Sequence, residues 1–323
     1  MDIFYLTLKQ MLLMFSLIMV GFILRKKKIL PENSGTVMAK METYIFCPAI
    51  YLYSQITGCE IQTFKENYLL LLYGLLITIG SIAVAYPLAR IFIPKTSQST
   101  PETSYKRCVY RYAMAFSNYG FMGNFIILGV WGPEMFYKYT LFTFFVGIFC
   151  GGWGLYTLIP KDKGVSFWKN VKKGILTPIT ISMVLGIVLG LLSVKAYIPD
   201  FVLGALESAG DCQGPVAMVL AGFVIGGYDF KSLIVNKKVY VATLLRLIVI
   251  PGVLMVILML LGISKEIMLL ALIAFATPLG LNTIVYPAAY GGETETGASM
   301  TMISHTFSVI TIPLMYYFFI VWM

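Results

Sequence analysis

Three asparagines, Asn118, Asn124 and Asn282, stand in the middle of long apolar stretches, in AFSNYGFMGN (115–124) and AFATPLGLN (274–282). A carboxamide offers two N–H donors and one acceptor, so it can hold a carboxylate or hydroxyl in apolar surroundings without burying a full charge. Gly120, Gly123, Pro278 and Gly280 stand beside them. Such residues interrupt a helix and free backbone N–H and C=O groups, which hydrocarbon cannot satisfy but a ligand cavity can. Similar signals recur at Pro48 (IFCPAIY) and at Gly214-Pro215 (DCQGPVAM), the latter beside Gln213. The signals fall into two pairs: Pro48 lies 167 residues before Pro215, and Gly120 lies 160 before Gly280. Paired interruptions in two halves of a membrane chain mark the substrate site of a secondary transporter, where half-helix N-termini attract anions.

A few ionisable residues lie within apolar stretches. Glu207 and Asp211, four apart, share one helical face, and Asp211 is close to mid-span. An ionised carboxylate there costs at least about 2.5 kcal/mol, so it is paired, hydrated or protonated. That makes Asp211 a candidate proton carrier, and His305 in TMISHTFS is the second. A single histidine cannot build a multi-histidine metal site. Arg246 is read as snorkelling to the interface, the alternative being a pairing with an anion or with Asp211. Lys40 and Arg111 read as interface anchors. The five cysteines form no C-x-x-C pair and read as small core residues, without disulfides. No G-x-x-x-x-G-K-[ST] motif occurs, so gradients or membrane potential supply the energy, and no cofactor is expected.

The elements that must position these groups follow from composition. The chain has 323 residues, 59% hydrophobic and only 12% charged, with mean hydropathy +0.83, which excludes a soluble globular domain. Apolar runs near 6–24, 36–57, 67–93, 109–131, 138–159, 175–194, 201–227, 239–262, 267–290 and 297–322 predict ten transmembrane spans. The first run ends in Arg-Lys-Lys-Lys with no small-residue cleavage site after it, which predicts a retained span rather than a signal peptide. The net charge of +9 is positional rather than a nucleic-acid signature. Fifteen basic residues alternate onto one side: Arg25 to Lys28, Lys95, Lys106, Arg107, the lysines at 161, 163, 169, 172 and 173, and Lys231, Lys237 and Lys238. Lys9, Lys65, Lys138, Lys195 and Lys265 fall on the other. The positive-inside rule then predicts a multi-pass plasma-membrane protein with both termini extracytoplasmic. Cutting in the basic loop leaves five spans in 1–160 and five in 161–323. Five is odd, so the second half enters the membrane from the opposite face, as an inverted repeat.

The stretches GFILRKKKILPE, IFCPAIYLYSQI, FSNYGFMGNFIILGVWG, GPVAMVLAGFVIGG and ATPLGLNTIVYPAAYGGETETGASMTMISHTFSVITIP resemble the prokaryotic branch of the auxin efflux carrier family, within the bile/arsenite/riboflavin transporter superfamily. The resemblance spans nearly the whole chain. It implies an all-α fold of ten transmembrane helices in a 5+5 inverted repeat with broken, crossing spans 4 and 9. It further implies a scaffold of spans 1, 2, 6 and 7, a mobile transport unit of spans 3–5 and 8–10, an organic anion such as malonate, malate or indole acetate as substrate, and a homodimer. The family's central Asn of span 4 matches Asn118 and its Gly matches Gly123, while Phe125 stands where a proline is common. In span 9 the matches are Pro278, Gly280 and the bacterial Asn282, and Thr283 replaces the plant crossover proline. Without those prolines, the crossing rests on glycine and asparagine flexibility.

The expectation is a secondary carrier for a small carboxylate. Asn118, Gly120, Gly123, Asn124, Pro278, Gly280, Asn282, Pro48 and Gln213 form its binding set, with Asp211 or His305 coupling protons. A sodium symporter resembling the bile acid transporters is the alternative, with an oxygen cage from Asn118, Asn124, Thr277, Asn282 and Gln213. One histidine and scattered acids argue against a membrane-embedded enzyme, and loops of only about 15 residues leave no signalling module for a sensor.

Overall fold

The computed structural model describes residues 2–96, 100–160 and 166–322, which are almost wholly helical and form no β-strand. Lys161 and Lys163, counted in the basic loop, and the boundary between the two proposed halves lie outside the described residues.

In chain order the helices are α1 (Asp2–Lys26), α2 (34–58), α3 (Ile61–Phe92), α4 (Pro101–Ala115), α5 (119–131), α6 (133–158), α7 (Phe167–Ile175), α8 (Pro178–Leu191), α9 (Asp200–Gly226), α10 (Phe230–Val235), α11 (Lys237–Leu260), α12 (Lys265–Ala276), α13 (Asn282–Tyr290) and α14 (Glu295–Trp322). Among them α1, α3, α9, α11, α14 and the 40-residue α5–α6 run are long and apolar enough to cross a membrane, and α8 is apolar but shorter. A bilayer needs about 20 residues per crossing. The α5–α6 run is twice that and bends at Gly132, whose φ of 79° before Pro133 suits glycine alone. Large apolar side chains such as Leu76 and Ile79 on α3 and Val253 and Leu260 on α11 stand exposed, the surface of a protein solvated by lipid.

Two expected interruptions are wound through. In α2 a π-helical turn, Glu42–Phe46, precedes Pro48, and the Cys47 N–H reaches back to Glu42 O. The wider turn absorbs the proline locally, so the helix bulges without breaking. In α9 Cys212 keeps helical backbone angles (φ −70°, ψ −21°), and Gly214-Pro215 opens the next turn, where a proline lacks no needed N–H. Gly214 is there for packing, because a Cβ would strike the Phe125 ring. The stretches predicted as spans 4 and 9, by contrast, are interrupted, at 116–118 and 277–281.

Small residues bring the backbones together. α1 lies along α9, where a Cβ on Gly21 would collide with Val219 O and one on Gly222 with Ile18 O. Such close approach is how helices associate where lipid is as apolar as leucine. α2 packs on α8 and α9; α3, α4 and α6 pack together; α12 and α14 fill the centre, every side chain from Met268 to Ala276 and from Thr296 to His305 being buried.

Candidate functional site

Span 9 breaks for a reason written in its residues. Thr277 precedes a proline, which favours extended backbone (φ −67°, ψ 154°), and Pro278 has no N–H to continue α12. Span 4 has no proline at its break. There Phe116 turns extended (φ −121°, ψ 143°), followed by Ser117 and Asn118, whose side chains compete with helical hydrogen bonds. The two extended pieces cross antiparallel, bridged at Ser117 and Leu279. The Asn118 N–H donates to Pro278 O (2.8 Å), Ser117 Oγ to Ala274 O (2.5 Å), and the Leu279 N–H to Ser304 Oγ (3.0 Å). Each break thus satisfies groups that the other frees, as a dry interior requires. Gly280 permits the contact: a Cβ there would stand 3.2 Å from Ser117 O.

Around this crossing the side chains sort into separate networks. Asn118, 3% exposed, meets His305 Nε2 through Nδ2 (3.1 Å), while His305 Nδ1 meets Thr301 O (2.7 Å). A carbonyl can only accept, so Nδ1 carries the proton and Nε2 accepts from the amide; the ring is the neutral Nδ1–H tautomer. Asn282 Nδ2 donates to Tyr112 OH (3.0 Å) and to Cys150 Sγ (3.4 Å), and that hydroxyl and thiol are themselves paired at 2.9 Å. Asn124 Nδ2 donates to Tyr51 OH (3.1 Å), and Gln213 Nε2 to Gly120 O (3.4 Å). Gly120 itself faces open space, since a Cβ would meet nothing within 4 Å. Gly123 admits Tyr139, whose hydroxyl donates to Tyr119 O at 3.0 Å. Asn118, Pro278, Gly280 and His305 therefore converge; Gly120 and Gln213 adjoin; Asn124 and Asn282 serve other neighbours; Pro48 sits in α2 beyond the π turn. Among the described residues, no two members of the proposed sodium cage bond to each other through their side chains.

Asp211 and Glu207 are exposed and line a cavity of about 710 Å³ between α2, the α5–α6 bend and α9. Tyr53 OH donates to Glu207 (2.8 Å), and Lys138 pairs with Glu266 (3.0 Å) and Glu134 (3.5 Å). Acids outnumber bases on its wall: Glu60, Glu66 and Glu134 join the α9 pair against Lys138 and Lys195.

Arg246 does not snorkel. It occupies a π-helical turn (Leu245–Val249) of α11, is fully buried, and donates from Nη1 to Met114 O (3.0 Å). The interior offers it a carbonyl at the end of α4, so the side chain turns inward. Glu42, not expected among the site residues from the sequence, is buried in the π turn of α2, with Cys47 Sγ 3.5 Å from one oxygen and no partner for the other among the described residues. An acid inside the apolar run 36–57 was the available signal.

A comparison with curated proteins finds no match. The family profile described as membrane transport protein matches residues 6–166 and 165–316, nearly the whole chain. With helices of membrane-spanning length and apolar outer faces, the chain is a multi-pass membrane protein. It belongs to the membrane transport protein family, that of the auxin efflux carriers.

Proposed function

We propose that this transporter is a secondary carrier that binds a small organic carboxylate at the crossing of spans 4 and 9 and moves it by elevator-type alternating access. One observation carries the reading: two helices broken at their centres meet at the Ser117–Leu279 bridge, each resuming beside an asparagine. The resuming ends near Tyr119 and Asn282 are N-termini, whose unsatisfied N–H groups and positive dipole ends suit a carboxylate. Asn118 adds a donor, and the open space beside Gly120 gives the ligand room.

Ten spans follow when α4 with α5 and α12 with α13 are each taken as one broken crossing, and two inverted sets of five follow from these. The packing of α1, α2, α8 and α9 on one another suits a scaffold, the remaining spans forming the unit that moves. With the basic loops cytoplasmic, the termini and the cavity of Asp211 lie on the outer side of the plasma membrane. An acid-rich outer mouth repels anions, which favours release there over capture and hence export. His305 links protons to cargo: a proton on Nε2 would face the Asn118 amide donors and force that amide to turn, altering what it offers the ligand. Asp211, exposed in that cavity, is the second proton site, and a second copy of the chain completes a homodimer.

Counterflow in proteoliposomes with labelled mono- and dicarboxylates, with and without pH and sodium gradients, tests the reading. Carboxylate exchange lost in Asn118→Ala protein that still folds is the expected result; exchange that persists in N118A removes Asn118 from the site, and sodium-dependent exchange returns the symporter.

A further inference from the structure

Arg246 is a full positive charge with no exposure at all. One of its nitrogens holds Met114 O; Nε and Nη2 have no hydrogen-bond partner among the described residues, and no carboxylate pairs with it. Its position is specific. Met114 is the penultimate residue of α4 and Phe275, whose ring centre lies 5.8 Å from the guanidinium carbon, is the penultimate residue of α12. The cation therefore sits where the C-terminal ends of both half-helices arrive at the crossing. Each such end carries about half a negative charge, and each N-terminal end, at α5 and α13, about half a positive one. The four ends cancel in sum. What remains is the guanidinium, which keeps its proton in proteins, and its unmade hydrogen bonds are costly until a partner arrives.

We infer that Arg246 is a specificity-determining residue, the fixed counter-charge that sets the crossing at a net charge of one and makes it select a singly charged anion over neutral and doubly charged analogues. The inference rests on the carrier reading above and deepens it. The α4 and α12 C-termini are neutralised by the arginine, the α5 and α13 N-termini face the ligand, and the loaded site is electrically neutral. If the unit carrying α11 moves, each translocation of the monoanion-loaded unit moves no net charge, whereas each translocation of the empty unit carries one. One charge across 100 mV weights the two facing states by about 50-fold.

The test uses the full chain in proteoliposomes, with labelled indole acetate as probe, indole acetamide and malonate as competitors, and a potassium diffusion potential. In the wild type, indole acetate competes at least about tenfold better than the amide, and exchange does not respond to the potential. In Arg246→Gln, with folding verified by monodispersity and helical content, that preference collapses about tenfold or more and exchange becomes voltage-sensitive, while Arg246→Lys, which keeps the charge, retains the wild-type pattern. A folded R246Q with unchanged charge preference and unchanged voltage response overturns the assignment and leaves the carrier reading standing. If R246Q does not fold, R246K decides: a folded R246K that has lost the preference overturns the assignment too. Failure of the wild type to exchange any carboxylate overturns the carrier reading and this inference with it.

Discussion

Substituting Gly123 by alanine tests the packing that holds the half-helix after Asn118. The backbone there is helical (φ −62°, ψ −44°), so alanine by itself improves helix propensity by up to about 1 kcal/mol. Sterics oppose it. The new methyl would overlap the Tyr139 hydroxyl and stand 3.1 Å from its Cζ, and the Tyr139 side chain, on α6, is fully buried. Overpacking of that kind costs about 1–3 kcal/mol. Losing the Tyr139-to-Tyr119 carbonyl bond adds the typical membrane value of about 0.6 kcal/mol. Tyr139→Phe alone removes only the bond, so its cost is about 0.6 kcal/mol. The double substitution removes the hydroxyl that the methyl would strike, leaving the tight but tolerable approach to Cζ. Thermal unfolding of the four purified proteins therefore places G123A below wild type and Y139F, with G123A/Y139F more stable than G123A because tyrosine removal rescues the alanine. A double variant less stable than G123A refutes the argument, because the overlap would then not be the source of the cost.

Other surfaces of the molecule are equally exposed to test. Gly222→Leu should abolish the α1–α9 contact, since its side chain would enter the backbone of Ile18, and is expected to yield no monodisperse protein; a folded G222L would contradict the packing. Cys212 is exposed beside the cavity acids, Cys108 is half-buried, and Cys47, Cys59 and Cys150 are buried, so an impermeant maleimide added outside should label intact cells at Cys212 and lose that labelling in Cys212→Ser; labelling of Cys212 only after membranes are opened would reverse the proposed orientation. Neutralising the outer acids in E207Q/D211N should strengthen competition by an external carboxylate several-fold, because each charge at a wet, screened site contributes about 1 kcal/mol or less. An unchanged or weaker competition would dissociate that cavity from the anion's path.

Membership in the lipid-solvated, all-helical class was legible because it depends on composition, and apolar content and loop charge are properties of residues in sequence. The break of span 9 was equally legible, since a proline after Thr277 removes a donor whatever surrounds it. Pro48 and Gly214-Pro215 carried the same local signal and did not break their helices, because a π turn and a packed Phe125 ring, both matters of neighbours, accommodated them. Asn118, Asn124 and Asn282 look alike in their apolar runs. Only folding assigned them to His305, Tyr51 and Tyr112, residues 187, 73 and 170 positions away. Arg246 shows the division most sharply. An arginine about eight residues into an apolar run reads as a side chain bound for the interface, and what turns it inward is a carbonyl 132 residues earlier in the chain, freed because α4 stops at Ala115. Residue types alone dictate which groups could carry charge and where helices could fail. Which failures occurred, and which polar groups met across them, the tertiary structure decided, because freed hydrogen-bonding groups in a dry interior are stable only when another broken or buried element meets them.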